Sequence, residues 1–423
     1  MRLSIPITLL TFIIISQAAH SKLELKMLPD FNISTFGAVC LDGSDAGFYF
    51  EASPTNLAQN KWQIFFEGGG WCYSEQDCLN RSKTDLGSSK NWPETTTNGG
   101  MMSSDCDINP DFCNFNRVYL KYCDGNSFSG NRDEPMMVND TPVYFRGHKI
   151  LQAVLKTLYS HYNLKEAEQV QLTGNSAGGV ATFMQADYVY DYIKTNSPKL
   201  EKFGSVPVSG IFLDQNSVEG NPVYQHQMAS IFTLSNANTA TNTQCLKHNR
   251  MLFKNWRCNF AEYVYEFIRS PIFVVQSAFD SWVVNCIYTA VHSKNDVEGC
   301  NKAKGWEACS QNLENCDSKQ MKVMNDYIEN LAERMDRKTY HKDGNGSFIH
   351  SCHTHGEGYE DEYWVKFKVD GVSMREAVGK WWNSDMDKPA MNYKPCLFAT
   401  EEKEKRQCNQ TCEAAEYELK FDI

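Results

Sequence analysis

The amino-acid sequence predicts an α/β protein with a mostly parallel central sheet flanked by helices. Short apolar runs, such as residues 62–66 and 271–275, have the length and residue types of buried strands. Amphipathic segments with helical periodicity, such as residues 147–162 and 319–337, lie between such runs. An apolar strand, a sharp turn and a helix also meet around Ser176. This alternation of strands and helices is typical of α/β folds.

Composition and charge limit the classes of function. Of the 423 residues, 42% are hydrophobic and 13% aromatic, which is enough for a large core. The formal net charge is −11, and Lys and Arg are dispersed rather than gathered in a stripe. A nucleic-acid partner is therefore not expected. A polyanionic substrate would need a local basic patch, because the overall field repels it.

The first 21 residues have the features of a secretory signal peptide. Arg2 provides a positive start, residues 9–15 form an apolar core, and Ala19-His20-Ser21 places small residues around a cleavage point. The apolar run is short for a membrane span, and no other stretch could span a bilayer. We therefore expect a secreted or lumenal protein without a membrane span, consisting of one domain over residues 22–423 and acting as a monomer.

The sixteen cysteines agree with an oxidising compartment. They all follow the signal segment and their number is even, which predicts a disulfide framework. A zinc site is disfavoured, because the cysteine groups lack paired C-x-x-C knuckles. No metal site is expected. Five N-x-[ST] sequons are candidate glycan sites: Asn32, Asn80, Asn139, Asn345 and Asn409.

Two predicted strands in the N-terminal half lead into loops that are candidates for ligand binding or catalysis. Residues 62–66 run into Glu67-Gly68-Gly69-Gly70-Trp71-Cys72, whose glycines allow backbone N–H groups to face a ligand. In an α/β-hydrolase plan such a loop supplies an oxyanion donor, although an ordinary flexible loop is the alternative. Residues 117–123 end in the polar loop 124–130, at the edge where α/β proteins bind ligands.

Other N-terminal segments have simpler interpretations. Residues 38–41 and 47–50 are expected to pair as two strands joined by a polar turn. Residues 79–116 are polar and lack periodicity, so we expect a long surface insertion tied by Cys106 and Cys113.

The segment around Ser176 contains the strongest single motif. Gly174-Asn175-Ser176-Ala177-Gly178 matches G-x-S-x-G and lies between an apolar strand and a helical run, residues 180–193. In this context the motif predicts a nucleophile elbow, in which only small residues fit beside the serine. The turn would direct the Ala177 N–H toward a developing oxyanion. The alternative is a glycine-rich turn with an idle serine.

The C-terminal half continues the alternation of strands and helices. Residues 215–269 mix aromatic residues and polar loops, which we interpret as a helical lid. The remaining predicted elements are strands at 204–214, 271–275 and 347–351, a cysteine-bearing loop at 296–317, an amphipathic helix at 319–337 and a charged, cysteine-bearing tail at 400–423.

A serine nucleophile needs a base and a carboxylate that orients the base. In α/β-hydrolases the chain order is serine, acid, histidine, and here Ser176 is followed by Asp280 and His355 after later strands. Rival candidates are Asp214 for the acid and His350 and His353 for the base. Asp280 could instead cap a short helix. A metal site at the paired histidines lacks a nearby carboxylate.

Taken together, several motifs resemble the pectin acetylesterase family, which also contains the Notum deacylases. They occur in the family order from about residue 36 to residue 396. The matching motifs are Glu67-Gly-Gly-Gly-Trp-Cys72, Asn109-Pro-Asp-Phe-Cys-Asn-Phe-Asn-Arg117, Tyr122-Cys-Asp-Gly125 with Ser127-Phe-Ser-Gly130, Gly174-Asn-Ser-Ala-Gly-Gly179, Ser277-Ala-Phe-Asp-Ser-Trp282 and Ser351-Cys-x-x-His355. One departure is Asn175, where plant members commonly have Cys.

The resemblance implies an α/β-hydrolase fold without a cofactor. It implies a triad of Ser176, Asp280 and His355, with His353 as a bystander. It also implies oxyanion donors from the backbone N–H groups of Gly70, Trp71 and Ala177. The local cysteine pairs Cys72–Cys78 and Cys106–Cys113 are expected as disulfides in loops over the site, and Cys40 and Cys123 are a candidate pair across the sheet.

The implied function is that of a secreted serine carboxylic-ester hydrolase that removes O-acetyl groups from a polysaccharide such as pectin. One alternative is a Notum-like deacylase that removes a longer acyl chain from a secreted protein. An alternative of another class is a non-catalytic, carbohydrate-binding module with an esterase-like fold.

Overall fold

The computed structural model describes residues 22–55, 58–291, 300 and 302–414. The strands are β1 (Leu23–Met27), β2 (Gly47–Glu51), β3 (Lys61–Phe66), β4 (Thr95–Thr96), β5 (Asn116–Leu120), β6 (Met136–Val138), β7 (Thr141–Val143), β8 (Gln169–Asn175), β9 (Lys202–Val208), β10 (Phe273–Ser277), β11 (Gly346–His350), β12 (Lys368–Val369), β13 (Val372–Ser373) and β14 (Met391–Tyr393). The helices are α1 (Asp30–Phe36), α2 (Glu75–Arg81), α3 (Gly147–His161), α4 (Ala177–Asn196), α5 (Val223–Leu234), α6 (Thr243–Arg250), α7 (Ala261–Val264), α8 (Ser281–Val283), α9 (Glu307–Gln311), α10 (Ser318–Met335), α11 (Asp361–Lys366) and α12 (Met374–Asn383).

One sheet organises the chain, in the order β14-β11-β10-β9-β8-β3-β5-β2-β1-β4. The strands from β14 to β5 are parallel to their neighbours, whereas β2, β1 and β4 add an antiparallel edge. The predicted α/β class with a mostly parallel sheet is therefore confirmed. Parallel strands share the direction of their carboxyl ends, so the loops that follow β3, β8, β9, β10 and β11 meet at one edge.

The central parallel strands are buried along most of their length because helices cover both faces of the sheet. Along β10, Phe273 and Val275 pack with Trp364 and Trp381, whereas Val274 belongs to a separate cluster on the other side. Helix α3 buries its apolar face against the central strands. The predicted helices at 147–162 and 319–337 correspond closely to α3 and α10.

The antiparallel edge differs from the expected pairing of residues 38–41 with 47–50. β2 pairs instead with β1 and β5, and residues 38–41 contribute only an isolated bridge between Val39 and Asp45. The backbone of Leu41 bonds to Cys123 and Tyr144 in loops, which leaves it unavailable to a strand neighbour. The alternation Leu-Glu-Leu-Lys-Met of β1 was a valid strand signal that the sequence interpretation missed.

All sixteen cysteines form disulfides. The three pairs expected from the sequence are present: Cys40–Cys123, Cys72–Cys78 and Cys106–Cys113. The five further pairs are Cys245–Cys258, Cys286–Cys300, Cys309–Cys316, Cys352–Cys412 and Cys396–Cys408. The segment 79–116, expected from the sequence to be a surface insertion, is partly buried: Met101, Phe112 and Phe115 pack in a hydrophobic core cluster. Within it the side chain of Asn109 donates to the carbonyls of Met101 and Ser103.

The sequons differ in accessibility. Asn80 and Asn139 are exposed. Asn32 and Asn345 are buried and their side-chain amides already donate, to the Thr157 hydroxyl and the Tyr340 carbonyl respectively. Asn32 and Asn345 are therefore poor glycan acceptors in the folded chain. The expected signal peptide, residues 1–21, lies outside the described residues, and within the described range no helix has the length and apolarity to cross a bilayer.

Candidate active site

Ser176 lies at the turn between β8 and α4 in a conformation that few residues other than glycine adopt. Its φ is 57° and its ψ is −122°. The surrounding backbone leaves no room for larger neighbours. A Cβ added to Gly178 would lie 2.0 Å from the Phe66 carbonyl oxygen, and one added to Gly174 would lie 2.3 Å from the Gly178 carbonyl oxygen. These contacts explain why both glycines of the motif are required at this turn.

The glycine-rich loop after β3 packs directly against this turn. A Cβ added to Gly68 would lie 3.0 Å from the Ser176 Cβ. Gly69 and Gly70 both have positive φ, and their carbonyl oxygens accept hydrogen bonds of 2.8 Å from Arg81 Nη2 and the Tyr122 hydroxyl. The Cys72–Cys78 disulfide closes the loop. Ordered carbonyls fix the direction of the peptide planes, and hence of the N–H groups.

Three backbone N–H groups have the properties expected of oxyanion donors. Those of Gly70, Trp71 and Ala177 make no hydrogen bond with another part of the described chain. Ala177 begins the twenty-residue helix α4, so its N–H also lies at the positive end of the helix dipole. Free, preoriented donors of this kind can stabilise developing negative charge.

Asp280 and His355 form a hydrogen-bonded pair. His355 Nδ1 lies 2.8 Å from Asp280 Oδ2, and the Asp280 side chain is almost fully buried. Asp280 also caps α8, because its Oδ1 accepts from the Val283 N–H at 3.0 Å. The cap and the histidine contact are therefore compatible uses of one carboxylate. The other ring nitrogen, Nε2, has no hydrogen-bond partner within the described residues.

The base and nucleophile loops are in contact. A Cβ added to Gly356, which follows His355, would lie 2.8 Å from the side-chain nitrogen of Asn175, which precedes Ser176. The acid loop is joined to the base loop by hydrogen bonds from the Ala278 and Ser281 N–H groups to the His350 and Thr354 carbonyls. The structure thus gathers the predicted triad residues at one edge of the sheet.

The electrostatic environment favours a basic His355. Burial alone would lower the pKa of the imidazole, but the charge and hydrogen bond of Asp280 and the charge of Glu357 together raise this pKa above its ordinary value. An imidazolium that forms during proton transfer is stabilised by the same two carboxylates.

The rival candidates have other partners. Asp214 accepts hydrogen bonds from the Tyr263 hydroxyl at 2.7 Å and from Gln225 at 3.0 Å. His350 is fully buried, and its Nε2 lies 3.1 Å from Glu357. The His353 ring contacts the Phe279 ring in a tilted arrangement at a centroid distance of 5.0 Å, and burial lowers the pKa of His353 to about 4. A base with so low a pKa is a weak proton acceptor at neutral pH.

A second buried carboxylate, Glu357, was not identified from the sequence. The Ser209 hydroxyl donates to Glu357 Oε2 at 2.8 Å and accepts from the Gly356 N–H at 2.9 Å. The Cys352 N–H donates to His350 Nδ1, so His350 Nε2 carries a proton and donates to Glu357. Burial would raise the pKa of Glu357, but these hydrogen bonds lower it. Ser209 and Glu357 therefore hold the loop that contains His355.

Aromatic rings fill the space between the glycine loop and the base. Trp71 lies 5.6, 5.4 and 5.0 Å from the rings of Phe212, Tyr224 and Trp282. Phe212 and Trp282 in turn contact the His355 ring. The Trp71 indole donates to Gln227 Oε1 at 3.1 Å, which fixes its orientation against α5. The segment predicted as a lid, residues 215–269, called the cap below, therefore packs on the glycine loop.

The polar loop 124–130 faces inward rather than toward a ligand. Asp124 is buried and accepts from the N–H groups of Phe128 and Gly130. The Tyr122 hydroxyl accepts from the Ser127 N–H while donating to Gly70. Through the Tyr122 hydroxyl, this loop is linked to the glycine loop by hydrogen bonds. Among the described residues no group of His, Cys, Asp or Glu side chains is arranged to hold a metal ion.

Comparisons with known proteins show that the chain is similar to esterases over most of its length. A family model described as Pectinacetylesterase matches residues 16–413. Pectin acetylesterase 5 of Arabidopsis thaliana is 32% identical over 349 residues, which cover 82% of this chain and 77% of the plant protein. The palmitoleoyl-protein carboxylesterase NOTUM of Schmidtea mediterranea is 31% identical over 278 residues, 63% of this chain and 50% of that protein. The structure of the Wnt deacylase Notum from Drosophila superposes with a TM-score of 0.73 at 25% identity, covering 93% of this chain and 100% of that chain.

The two neighbouring histidines provide a first prediction. His355→Ala should reduce hydrolysis of p-nitrophenyl acetate on the order of 10⁴-fold or more, because the variant lacks the imidazole that accepts the serine proton in a triad of this kind. His353→Ala should retain most of its activity per folded molecule, with a stability loss of about 1–3 kcal/mol from the cavity. Thermal unfolding of both variants provides the control for folding. An inactive His353→Ala beside an active His355→Ala would transfer the role of base to His353.

The buried carboxylate provides a second prediction. Glu357→Gln keeps the shape of the side chain and one acceptor oxygen for the two donors, His350 and Ser209, but it removes the charge, so the pKa of His355 should fall. Because the protonated imidazole is inactive as a base, the acid limb of kcat/KM should then move to lower pH. Glu357→Asp should keep the acid limb near its original pH, and Glu362→Gln, at an exposed position of α11, is the matched control. A lower rate with an unmoved acid limb would reduce Glu357 to a structural role.

Proposed function

The chain belongs to the pectinacetylesterase family and is an esterase, and from this premise we propose that it is a secreted serine esterase that removes acetyl groups from a polysaccharide. The single observation that supports the proposal most is the hydrogen bond of 2.8 Å between Asp280 and His355 beside the strained turn at Ser176. The names of the plant relatives, which are pectin acetylesterases, support pectin as the alcohol component. A non-catalytic module would have no need of this combination.

In the proposed mechanism, His355 Nε2 accepts the proton of the Ser176 hydroxyl as the serine oxygen attacks the ester carbonyl. The backbone N–H groups of Gly70, Trp71 and Ala177 stabilise the tetrahedral oxyanion. His355 then protonates the leaving sugar hydroxyl, and an acetyl-serine remains. His355 then takes a proton from a water that attacks the acetyl-serine, and it returns that proton to the Ser176 oxygen as the acyl–oxygen bond breaks and acetate is released.

Asp280 keeps the imidazole in the tautomer with the proton on Nδ1 and stabilises the imidazolium. His355 Nε2 can serve as the proton acceptor, because it has no hydrogen-bond partner among the described residues. The positive φ of Ser176 costs about 1–3 kcal/mol, a strain that is characteristic of functional turns.

The aromatic rings favour a short acyl group. Trp71, Phe212, Tyr224 and Trp282 are in mutual contact from the glycine loop to the base, and Phe212 and Tyr224 are fully buried. A long acyl chain that extended into this cluster would have to displace packed rings, whereas acetate needs only the space of a methyl group. This packing favours acetate over the long-chain substrates that the names of the Notum relatives indicate.

Secretion rests on the cysteines. Eight disulfides that include every cysteine of the chain suit an oxidising compartment. In a reducing cytosol these disulfides would not form, and the loops around the site would lose the cross-links that hold them.

The test of the proposed function is a panel of p-nitrophenyl esters from acetate to palmitate, together with acetate release from acetylated pectin. The wild-type protein should prefer acetate, and Ser176→Ala should lose activity on the order of 10⁴-fold or more. Ser281→Ala is the matched control, because this buried serine lies beside Asp280 and its hydroxyl has no hydrogen-bond partner among the described residues. Near-normal turnover by Ser176→Ala would exclude the serine mechanism.

The aromatic packing generates a prediction about chain length. Trp282→Ala should open space beside His355 and raise the ratio of kcat/KM for hexanoate over acetate by about tenfold or more, because added methylene groups then enter an apolar cavity. Trp306→Ala, a half-buried tryptophan without a contact to the triad, is the matched control. An unchanged ratio in Trp282→Ala would mean that the rings do not limit the acyl group.

A further inference from the structure

The cap contains a basic surface on an acidic protein. Residues 237–261 include Lys247, Arg250, Lys254 and Arg257 but no Asp or Glu, whereas the whole chain has a net charge of −11. Lys247, Arg250 and Lys254 are exposed, and within the described residues none of the three has an ion-pair partner. Cations that are neither paired nor buried produce a local positive potential in an otherwise repulsive field.

Beside these cations lies a surface hollow of about 440 Å³. One wall is a single face of α6, formed by Thr243, Leu246, Lys247 and Arg250, which follow helical spacing. The other walls are Asn238 and Asn255, from two short turns on either side.

A disulfide and several hydrogen bonds join the segments that line the hollow. The Cys245–Cys258 disulfide joins α6 to the turn that contains Asn255. Asn249 is buried, its backbone carbonyl accepts from the Leu252 and Lys254 N–H groups, and its side chain donates to the Cys245 carbonyl. Asn242 caps the start of α6. A rigid wall can present its polar groups to a ligand without first being ordered.

We propose that this hollow binds the carboxylates and hydroxyls of an anionic polysaccharide, a chain of uronate sugars, and holds the polymer across the cap while an ester on it is cleaved. The proposal deepens the proposed function and rests on it for the identity of the polymer. Lys247 and Arg250 would pair with sugar carboxylates, and Asn238, Thr243 and Asn255 would bond with ring hydroxyls.

The mixture of groups distinguishes uronates from other anions. Three neutral hydrogen-bonding side chains alternate with two cations in one hollow, which suits a ligand that has both hydroxyls and well-spaced charges. A membrane surface would instead use the neighbouring apolar tip, Met251, Leu252 and Phe253, which is 82%, 50% and 95% exposed. The tip lies outside the lining of the hollow, so the two surfaces can be tested separately.

The hollow is connected to the active site through packed rings. Trp256, next to Asn255, contacts Phe260, which contacts Tyr224, which contacts Trp71 of the glycine loop. A polymer that occupies both places gains affinity from its second contact, because that contact is intramolecular. A small ester cannot occupy both places at once, so the kcat/KM for its hydrolysis should not depend on the hollow.

The experiment measures binding of polygalacturonate to the purified protein by calorimetry, with neutral dextran as the negative probe. The double variant Lys247→Ala/Arg250→Ala should weaken binding roughly ten- to thirtyfold at low salt and less at high salt. It should raise KM for acetylated pectin and leave kcat/KM for p-nitrophenyl acetate unchanged. Lys319→Ala/Lys322→Ala, which removes two exposed lysines from α10, should change none of these values.

The outcomes separate the two proposals. No binding of polygalacturonate, or equal binding by the wild type and the Lys247/Arg250 variant, would overturn the hollow as a polysaccharide site. Binding that is lost in this variant while the wild type cleaves no ester would support the site and reject the esterase mechanism. Binding of anionic phospholipid vesicles that Phe253→Glu abolishes, with no effect of Lys247→Ala/Arg250→Ala on polygalacturonate, would assign the surface to membranes instead.

Discussion

The close packing of three backbone segments around Ser176 is the constraint on which the site depends. The end of β3, the start of α4 and the glycine loop approach so closely that Gly68, Gly174 and Gly178 have no space for a side chain. This approach holds the serine at positive φ and leaves the N–H groups beside it without internal partners. The strained conformation of Ser176 costs stability, on the order of 1–3 kcal/mol. The parallel sheet, buried on both faces, is the rigid support that makes such a cost tolerable.

Two buried carboxylates, Asp280 and Glu357, also position the groups of the site. Asp280 is buried with a histidine, a backbone N–H and the amide of Gln276 as its partners. Glu357 is buried with a hydroxyl and a second histidine. A buried carboxylate is stable only when hydrogen bonds replace its water, and here each partner also fixes a loop. The same contacts that solvate the two charges therefore orient His355, and they raise its pKa despite burial.

Much of this could be predicted, because the chemistry lies in local motifs. The elbow around Ser176, the glycine loop and the short disulfides are determined by residues close in sequence. Glu357 and Ser209 could not be identified in this way, since they are 148 positions apart and meet only when β9 and β11 lie in one sheet. The loop 124–130 was misjudged for the converse reason. Its polar residues resemble a ligand loop, but their partners are backbone groups that only the fold brings near.

The loops at the carboxyl edge are long, yet the structure restrains each of them. Cys72–Cys78 closes the glycine loop, Cys352–Cys412 ties the base loop to the C-terminal region, and Cys245–Cys258 braces the cap. In the chain-entropy model each bridge contributes about 2–4 kcal/mol, mainly by restricting the unfolded chain. An enzyme that acts on a long polymer must leave its site open to the polymer on at least one side, and it cannot order its loops by closing over the substrate. Covalent bracing supplies that order in advance, so the oxyanion donors and the base are positioned before any sugar arrives.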